Sequence, residues 1–256
     1  MRFTKLYAAL PLLVSASMFV AVPAKGAETV RCNAIDGAVS GLSEIDARTR
    51  LAYVRTVMDD QAARARRWSV AWTITGLGLA AGNFTQAALA DTADDRVDPL
   101  VGGAASLFIP AALLVKPLEV KAAQRTLEAD VAKLDPAAKP EDLCATLGRA
   151  ETLFVESAAD EAFSAGIFTH LFVIAGNGAI ALFLGLGYDH WKGALINGGG
   201  GLLISEFQIF TQPTGAVDGL ARYRHANLNA SSPAATVRML PWLSQGAIGV
   251  AAAGTF

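Results

Sequence analysis

The chain has 256 residues, of which 53% are hydrophobic and 17% are charged, and its formal net charge at neutral pH is −2. This length can hold one large domain or two small ones, and the composition lies between that of a soluble helical protein and that of a membrane protein. The charge balance offers no broad basic surface for DNA or RNA, so no nucleic-acid partner is expected.

The first 26 residues have the pattern of a secretory signal peptide. Arg2 and Lys5 precede an apolar stretch from Leu6 to Val22, and small residues surround the expected cleavage point at Gly26. An uncleaved N-terminal anchor helix is the alternative, and either interpretation predicts export to the cell envelope. Without the three basic residues of this segment, 18 basic residues remain against 23 acidic ones.

The two cysteines, Cys32 and Cys144, follow this segment and predict a disulfide. An exported protein meets conditions in which disulfides persist, and an even count favours a pair. Two unpaired buried thiols are the alternative. The cysteines form no CxxC motif and have no histidine nearby in the sequence, so neither a metal nor any other cofactor is predicted.

A long helix is predicted from Glu44 to Ala90. Ser43 is a suitable N-cap, and an apolar stripe of helical spacing follows it. No proline interrupts the chain before the uncharged stretch from Ser69 to Ala90, so one continuous helix of about 70 Å is expected.

A second apolar run from Pro99 to Val115 follows an acidic turn. It is at the short end of the range for a membrane span, and Pro110 is expected to kink it. A re-entrant segment or a buried core helix is the alternative. Two amphipathic helices are predicted next, one that ends at Pro136 and one that begins near Pro140.

The most distinctive stretch is an apolar, glycine-rich hairpin from Ala162 to Gln212. Its first arm runs for 27 residues without a formal charge, which is enough to cross a hydrocarbon core of about 30 Å. The order of elements before it is the same, so the chain is predicted to be all-α, with two tandem units of a long amphipathic-to-apolar helix and an apolar return helix in a four-helix membrane or core bundle. The predicted boundaries are 1–26 for the signal peptide, 27–117 and 118–213 for the two units, and 214–256 for a C-terminal tail with a flexible linker.

Matching positions in the two units support this duplication. Asn83 corresponds to Asn177, and the pair Gly102-Gly103 corresponds to Gly198-Gly199. Small residues at such positions let helices approach closely, and asparagines at equivalent positions predict an interhelical hydrogen bond. The residues predicted to serve helix packing are Gly78, Gly82, Asn83, Gly176, Asn177, Gly198 and Gly199.

Two glycine patterns resemble nucleotide or phosphate loops and lack the context that such loops need. The run at Gly76, Gly78 and Gly82 is not embedded in alternating strands and helices, and the four glycines from Gly198 to Gly201 lack a following lysine. The three histidines form no catalytic triad with serine or cysteine. Neither an enzyme nor a catalytic residue is predicted.

His170 and Glu206 are ionisable residues in apolar surroundings. In an antiparallel hairpin they are expected to meet, because ionisable groups in a membrane or core pair with one another or mark a pathway. They are the candidate functional polar residues.

The predicted function is a structural or assembly role in the cell envelope, with the lipid bilayer and either other copies or other envelope proteins as partners. A small pore or transporter that uses His170 and Glu206 is the alternative. Sixteen of the 18 basic residues lie on the side away from the hairpin turns. Export places that side outside, whereas the positive-inside rule places it in the cytoplasm, so the membrane and the topology stay open.

Overall fold

A computed structural model describes residues 29–135, 137–229, 236–244 and 247–255. The predicted signal peptide lies outside the described residues. The chain forms, in order, α1 (Ala47–Leu89), α2 (Val97–Ser106), α3 (Phe108–Val115), α4 (Val120–Ala132), α5 (Pro140–Ser164), α6 (Ile167–Tyr188), α7 (Trp191–Ala194), α8 (Gly200–Phe210), α9 (Gly215–Arg224), β1 (Thr236–Ser244) and β2 (Ala247–Thr255). The prediction of helices is confirmed for the described part of 29–229, and the tail departs from it.

The long first helix is continuous, as predicted. It runs for 43 residues, or about 65 Å, and begins three residues later than expected. Asp46 is its N-cap, because the side chain of Asp46 accepts hydrogen bonds from the backbone N–H groups of Arg48 and Thr49. The hydroxyl of Ser43, the predicted cap, instead donates to the carbonyl of Ser40.

One end of the molecule is a helical head, comprising residues 29–68, 116–135, 137–166 and 213–229. The first half of α1 packs there against α4, α5 and α9 around a core that includes Met58, Leu127, Leu147, Phe154 and Tyr223. The predicted apolar stripes of α4 and α5 supply much of this core. A disulfide between Cys32 and Cys144 fastens the N-terminal segment to α5, as predicted.

The other part comprises the arms, residues 69–115 and 167–212. The second half of α1 packs against α2 and α3, and α6 packs against the returning α7 and α8. The return of the first arm breaks at Leu107, three residues before the proline expected to kink it. The return of the second arm contains a π-helical turn at Leu195–Gly199, which overlaps the start of the run of four glycines.

Among the described residues, two helical stretches are long and apolar enough to cross a membrane. They are Val97–Ala132, with a mean hydropathy of 1.7, and Pro140–Tyr188, with a mean hydropathy of 1.9. The apolar windows in these stretches are only 17% and 6% buried inside the molecule, whereas core helices of soluble proteins bury such windows. The second half of α1 and the returning α8 are not among these stretches.

The chain after Pro213, predicted as a tail with a flexible linker, begins with a helix. This helix is α9, whose Ala216, Leu220 and Tyr223 are buried in the head core. The last elements, β1 and β2, pair as an antiparallel hairpin with Thr236 opposite Thr255. The flexible linker predicted at 227–233 lies mostly outside the described residues.

Candidate functional site

His170 and Glu206 meet between the two helices of the second arm. His170 lies in the first turn of α6 and Glu206 lies in the middle of α8, and these helices pack against each other. The Nδ1 atom of His170 is 2.6 Å from Oε2 of Glu206, and both side chains are about one-fifth exposed. The contact expected from an antiparallel hairpin is therefore present, and its functional role stays a prediction.

This pair joins one ionisable side chain from each helix of the second arm by a hydrogen bond. The second carboxylate oxygen of Glu206, Oε1, is buried and has no hydrogen-bond partner among the described residues. The ring of Phe210 lies 5.7 Å from that of His170 and covers one side of the pair.

The two asparagines predicted to serve helix packing occupy equivalent surroundings. The amide of Asn83 donates to the carbonyl of Leu79, and that of Asn177 donates to the carbonyl of Val173, each one turn earlier in its own helix. The described hydrogen bonds of these amides therefore lie within one helix, which differs from the expected bond across helices. A hydroxyl or amide donor satisfied in this way is common in apolar helices.

Each asparagine faces a glycine of its returning helix. A Cβ atom at Gly102 would lie 2.8 Å from the side-chain oxygen of Asn83, and a Cβ atom at Gly201 would lie 2.3 Å from that of Asn177. A Cβ atom at Gly198 would lie 2.6 Å from Cβ of Ala181. The side chain of Asn197 also reaches Gly102, so it links the second arm to the first. Glycine is required at these contacts because any larger side chain would separate the helices.

Other predicted packing glycines face outwards. A Cβ atom at Gly78, Gly82 or Gly176 would meet nothing within 4 Å, and one at Gly199 would make only an ordinary contact with Leu195. These positions do not bring helices together within the described chain. A contact with a second chain stays a prediction for them. By contrast, Gly76 packs tightly, since a Cβ atom there would lie 2.7 Å from Cδ of Pro110.

A second polar cluster joins the tips of the two arms. His190 follows the turn after α6, and its Nδ1 and Nε2 atoms lie 2.8 Å from Asp98 and 3.3 Å from Asp94, respectively. The hydrogen bond to Asp98 is the largest influence that raises the pKa of His190, and Asp94 adds to it. Sequence reasoning missed this cluster, although the acidic first turn and the histidine of the second turn were visible.

The head contains a buried polar network that sequence reasoning also missed. The guanidinium of Arg50 donates to Tyr223, to Glu151 and to the carbonyl oxygens of Cys32 and Asn33. Arg50 and Tyr223 are completely buried, and burial raises the pKa of the Tyr223 hydroxyl.

The signal for this network was present in the helical spacing. Arg50 lies one turn before Val54 in the stripe of α1, and Glu151 lies one turn after Leu147 in that of α5. Two opposite charges on the apolar faces of adjacent helices predict a buried ion pair.

The head also carries a carboxylate at a helix end and a surface groove. Glu161 accepts hydrogen bonds from the backbone N–H groups of Ala216 and Val217 at the start of α9, and burial raises its pKa to about 7.

The groove, of about 500 Å³, lies between α1, α4 and α5 and is open to solvent. Arg55 on its rim is engaged by Glu128.

No match was found when the chain was compared with protein-family models, with curated proteins and with solved structures.

Proposed function

We propose that the protein is an exported, membrane-anchored component of the cell envelope with a structural or assembly role. The arms lie in the bilayer as a bundle of two tandem hairpin units, and the disulfide-linked head lies in water beside it. The protein acts through helix packing and carries out no chemical reaction.

The observation that carries this proposal is the distribution of exposed apolar side chains. Apart from Val39 and Phe163, the large hydrophobic side chains exposed among the described residues belong to the arms. Phe172 is 79% exposed and Leu186 is 72% exposed. A soluble monomer rarely exposes a contiguous apolar patch of more than a few hundred Å², so these surfaces need lipid or protein around them.

The dimensions of the second arm agree with a bilayer. α6 has 22 residues without a formal charge, which corresponds to about 33 Å, close to the thickness of the hydrocarbon core. Aromatic residues lie at both ends of the arms, with Tyr188 and Trp191 at the tip. At the head, Trp68 and Trp72 both donate to the hydroxyl of Thr211. Tryptophan and tyrosine are enriched at membrane interfaces.

Extraction of isolated membranes with alkaline carbonate tests this anchoring. The mature protein is expected to stay with the membrane pellet, because the exposed apolar surface of the arms has no stable place in water. Recovery of the protein in the soluble fraction would reject the proposal. The outcome also decides whether the arms form a lipid-embedded bundle or the core of a larger soluble assembly.

The assembly role depends on the outward-facing glycines. Gly102 and Gly198 are used inside the two hairpins, whereas Gly78, Gly82 and Gly176 leave smooth, open surfaces on the arms. Small residues at such positions favour close contact with another membrane helix. Outward-facing glycines occur in both units. Their surfaces therefore suit contact with a second copy of this chain or with another envelope protein.

Chemical crosslinking in membranes tests self-association. Gly78→Leu and Gly199→Leu are expected to reduce crosslinked oligomers, since leucine would hold the neighbouring helix away. Gly148→Leu is a matched control, because Gly148 is also open but lies in the head on α5. Crosslinking that is unchanged in the two arm variants would remove self-association through these surfaces.

The contact between His170 and Glu206 favours one alternative function, a small pore or transporter. A partly buried ionisable pair with an unpartnered carboxylate oxygen is a feature of ion or proton pathways in membranes. Flux through liposomes that contain the purified protein separates the two functions. Flux that is abolished by His170→Ala and by Glu206→Gln would establish the alternative, and absence of flux in the unmodified protein would exclude it.

A further inference from the structure

Three basic residues lie together where the head meets the arms. Lys121 is in the first turn of α4, and its Nζ atom is 3.3 Å from the hydroxyl of Ser69, the first residue of the first arm. Arg66 lies one turn before Ser69 on α1. Arg125 lies one turn after Lys121, and its Nε atom donates to the Lys121 carbonyl at 3.1 Å. The cluster therefore spans two helices, α1 and α4.

This basic cluster lacks a negative partner within the described chain. None of the described ion pairs involves Arg66, Lys121 or Arg125. Asp160, which accepts a hydrogen bond from the backbone N–H of Glu119, pairs with Lys116. Partial burial is the largest cause that lowers the pKa of Lys121, and the charges of Arg125 and Arg66 lower it further. Three cations that repel one another at a fixed place indicate a site for an external anion.

The position of the cluster indicates which anion it meets. α4 belongs to the head, since its Val120, Ala123 and Leu127 are buried in the head core. The end of α3, a few residues earlier, exposes Leu114 by 79% and Val115 by 86%. The cluster thus lies at the level where the apolar surface ends, which in a bilayer is the level of the lipid phosphates.

We propose that Arg66, Lys121 and Arg125 bind the phosphate of an anionic phospholipid in the leaflet that faces the head. The two guanidinium groups can each donate two hydrogen bonds to phosphate oxygens, and Lys121 adds a point charge beside Ser69. Basic pockets beside membrane helices recognise anionic lipid headgroups in this way. This inference rests on the proposed insertion of the arms in the bilayer.

The test measures which lipid the protein retains. The full chain is reconstituted in mixed vesicles of phosphatidylcholine and phosphatidylglycerol, purified in mild detergent, and analysed for the ratio of the two lipids. The unmodified protein is expected to enrich phosphatidylglycerol. Arg66→Gln combined with Arg125→Gln is expected to lower this enrichment by about 25-fold, since each basic residue near the surface contributes roughly a fivefold preference.

A control with the same loss of charge makes the test specific. Lys133→Gln combined with Lys139→Gln also removes two positive charges. Lys133 is the C-cap of α4, about 18 Å from Lys121 along the helix, and Lys139 is the N-cap of α5. This control is expected to enrich phosphatidylglycerol like the unmodified protein. Lys121→Gln alone is expected to give an enrichment of phosphatidylglycerol between that of the control and that of the Arg66/Arg125 double variant. Circular dichroism checks that each variant keeps its helices.

The outcomes separate this inference from the proposed function. Unchanged enrichment in the Arg66/Arg125 variant, or an equal loss in the control, would overturn the lipid site while leaving membrane anchoring intact. Binding of inorganic phosphate by the detergent-solubilised protein, without any lipid preference, would assign the cluster to a soluble anion and would also overturn it. A protein that carbonate removes from membranes would contradict both proposals.

Discussion

The head and the arms use opposite arrangements of polar and apolar side chains. The head buries its apolar residues and even encloses the charged pair Arg50 and Glu151, whereas the arms expose large apolar residues such as Phe168, at 70%. Each arrangement is stable only in a suitable solvent. This difference supports the proposal that the head lies in water and the arms in an apolar environment, although both are built on the same continuous helix α1.

Removal of the buried carboxylate in the head has the largest expected effect. Glu151→Ala leaves the buried guanidinium of Arg50 without its charged partner, so we expect a loss of about 3–5 kcal/mol in the free energy of unfolding of the head. Thermal denaturation followed by circular dichroism measures this loss. Glu156→Ala, on the exposed face of the same helix, is expected to change little. Equal effects of the two changes would show that the network does not stabilise the head.

A second change tests the buried carboxylate at the start of α9. Burial raises the pKa of Glu161 from its usual value of 4.5 to about 7, so between these pH values the folded chain keeps a proton that the unfolded chain releases. The free energy of unfolding therefore falls as pH rises through this window, by up to about 3 kcal/mol.

Glu161→Gln is expected to remove this decline while its amide oxygen still accepts from Ala216 and Val217. Chemical denaturation of both proteins at several pH values from about 4 to about 8 measures this decline, since these values bracket the titration of Glu161. Parallel curves for the two proteins would contradict the assignment of the pH dependence to Glu161.

A pair of glycine changes tests the difference between inner and outer surfaces of the arms. Gly76→Leu forces a side chain against Pro110 and the carbonyl of Ser106, so we expect a loss of about 1–3 kcal/mol in arm stability. Gly78→Leu, two residues later, meets open space and is expected to leave folding unchanged. Thermal denaturation in detergent compares them. A larger loss for Gly78→Leu than for Gly76→Leu would reverse the assigned faces.

The smallest expected effect concerns the tip of the arms. The hydrogen bonds to Asp98 and Asp94 raise the pKa of His190, so the contact is fully present below pH 6.5 and is lost as pH rises through the raised value. Titration of the imidazole by nuclear magnetic resonance is expected to give a pKa above 6.5, which Asp98→Asn lowers. Asp91→Asn is the control, because Asp91 is exposed in the same turn region. An unshifted pKa in the unmodified protein would contradict the contacts of His190 with Asp98 and Asp94.

Periodic patterns were sufficient to predict the long helices and the hairpin. The stripe of Leu143, Leu147 and Phe154 predicts α5, and Pro140 lies at its first turn as expected. The contact between His170 and Glu206 followed from two ionisable residues in an apolar antiparallel hairpin. These predictions succeeded because helix period and chain direction determine which residues share a face.

Other features depend on which of several possible contacts forms in the folded chain, and the sequence alone does not show this. Ser43 and Asp46 are both good N-caps, and Asp46 prevails while its carboxylate also accepts from the N–H of Val30. α9 is short and rich in glycine, and its capping group, Glu161, comes from a distant helix. Likewise, Gly76 and Gly78 have the same local pattern, and only tertiary packing decides that one faces Pro110 and the other faces outwards.

The most direct measurement is the accessibility of spin labels in reconstituted vesicles. Because Cys32 and Cys144 are joined in a disulfide, a single introduced cysteine can be labelled under non-reducing conditions. A label at Phe172→Cys in the second arm is expected to relax with oxygen, which dissolves in lipid, and not with a water-soluble nickel chelate. A label at Lys133→Cys in the head is expected to show the reverse. Strong relaxation of the Phe172→Cys label by the nickel chelate would place the arms in water and contradict the division between head and arms.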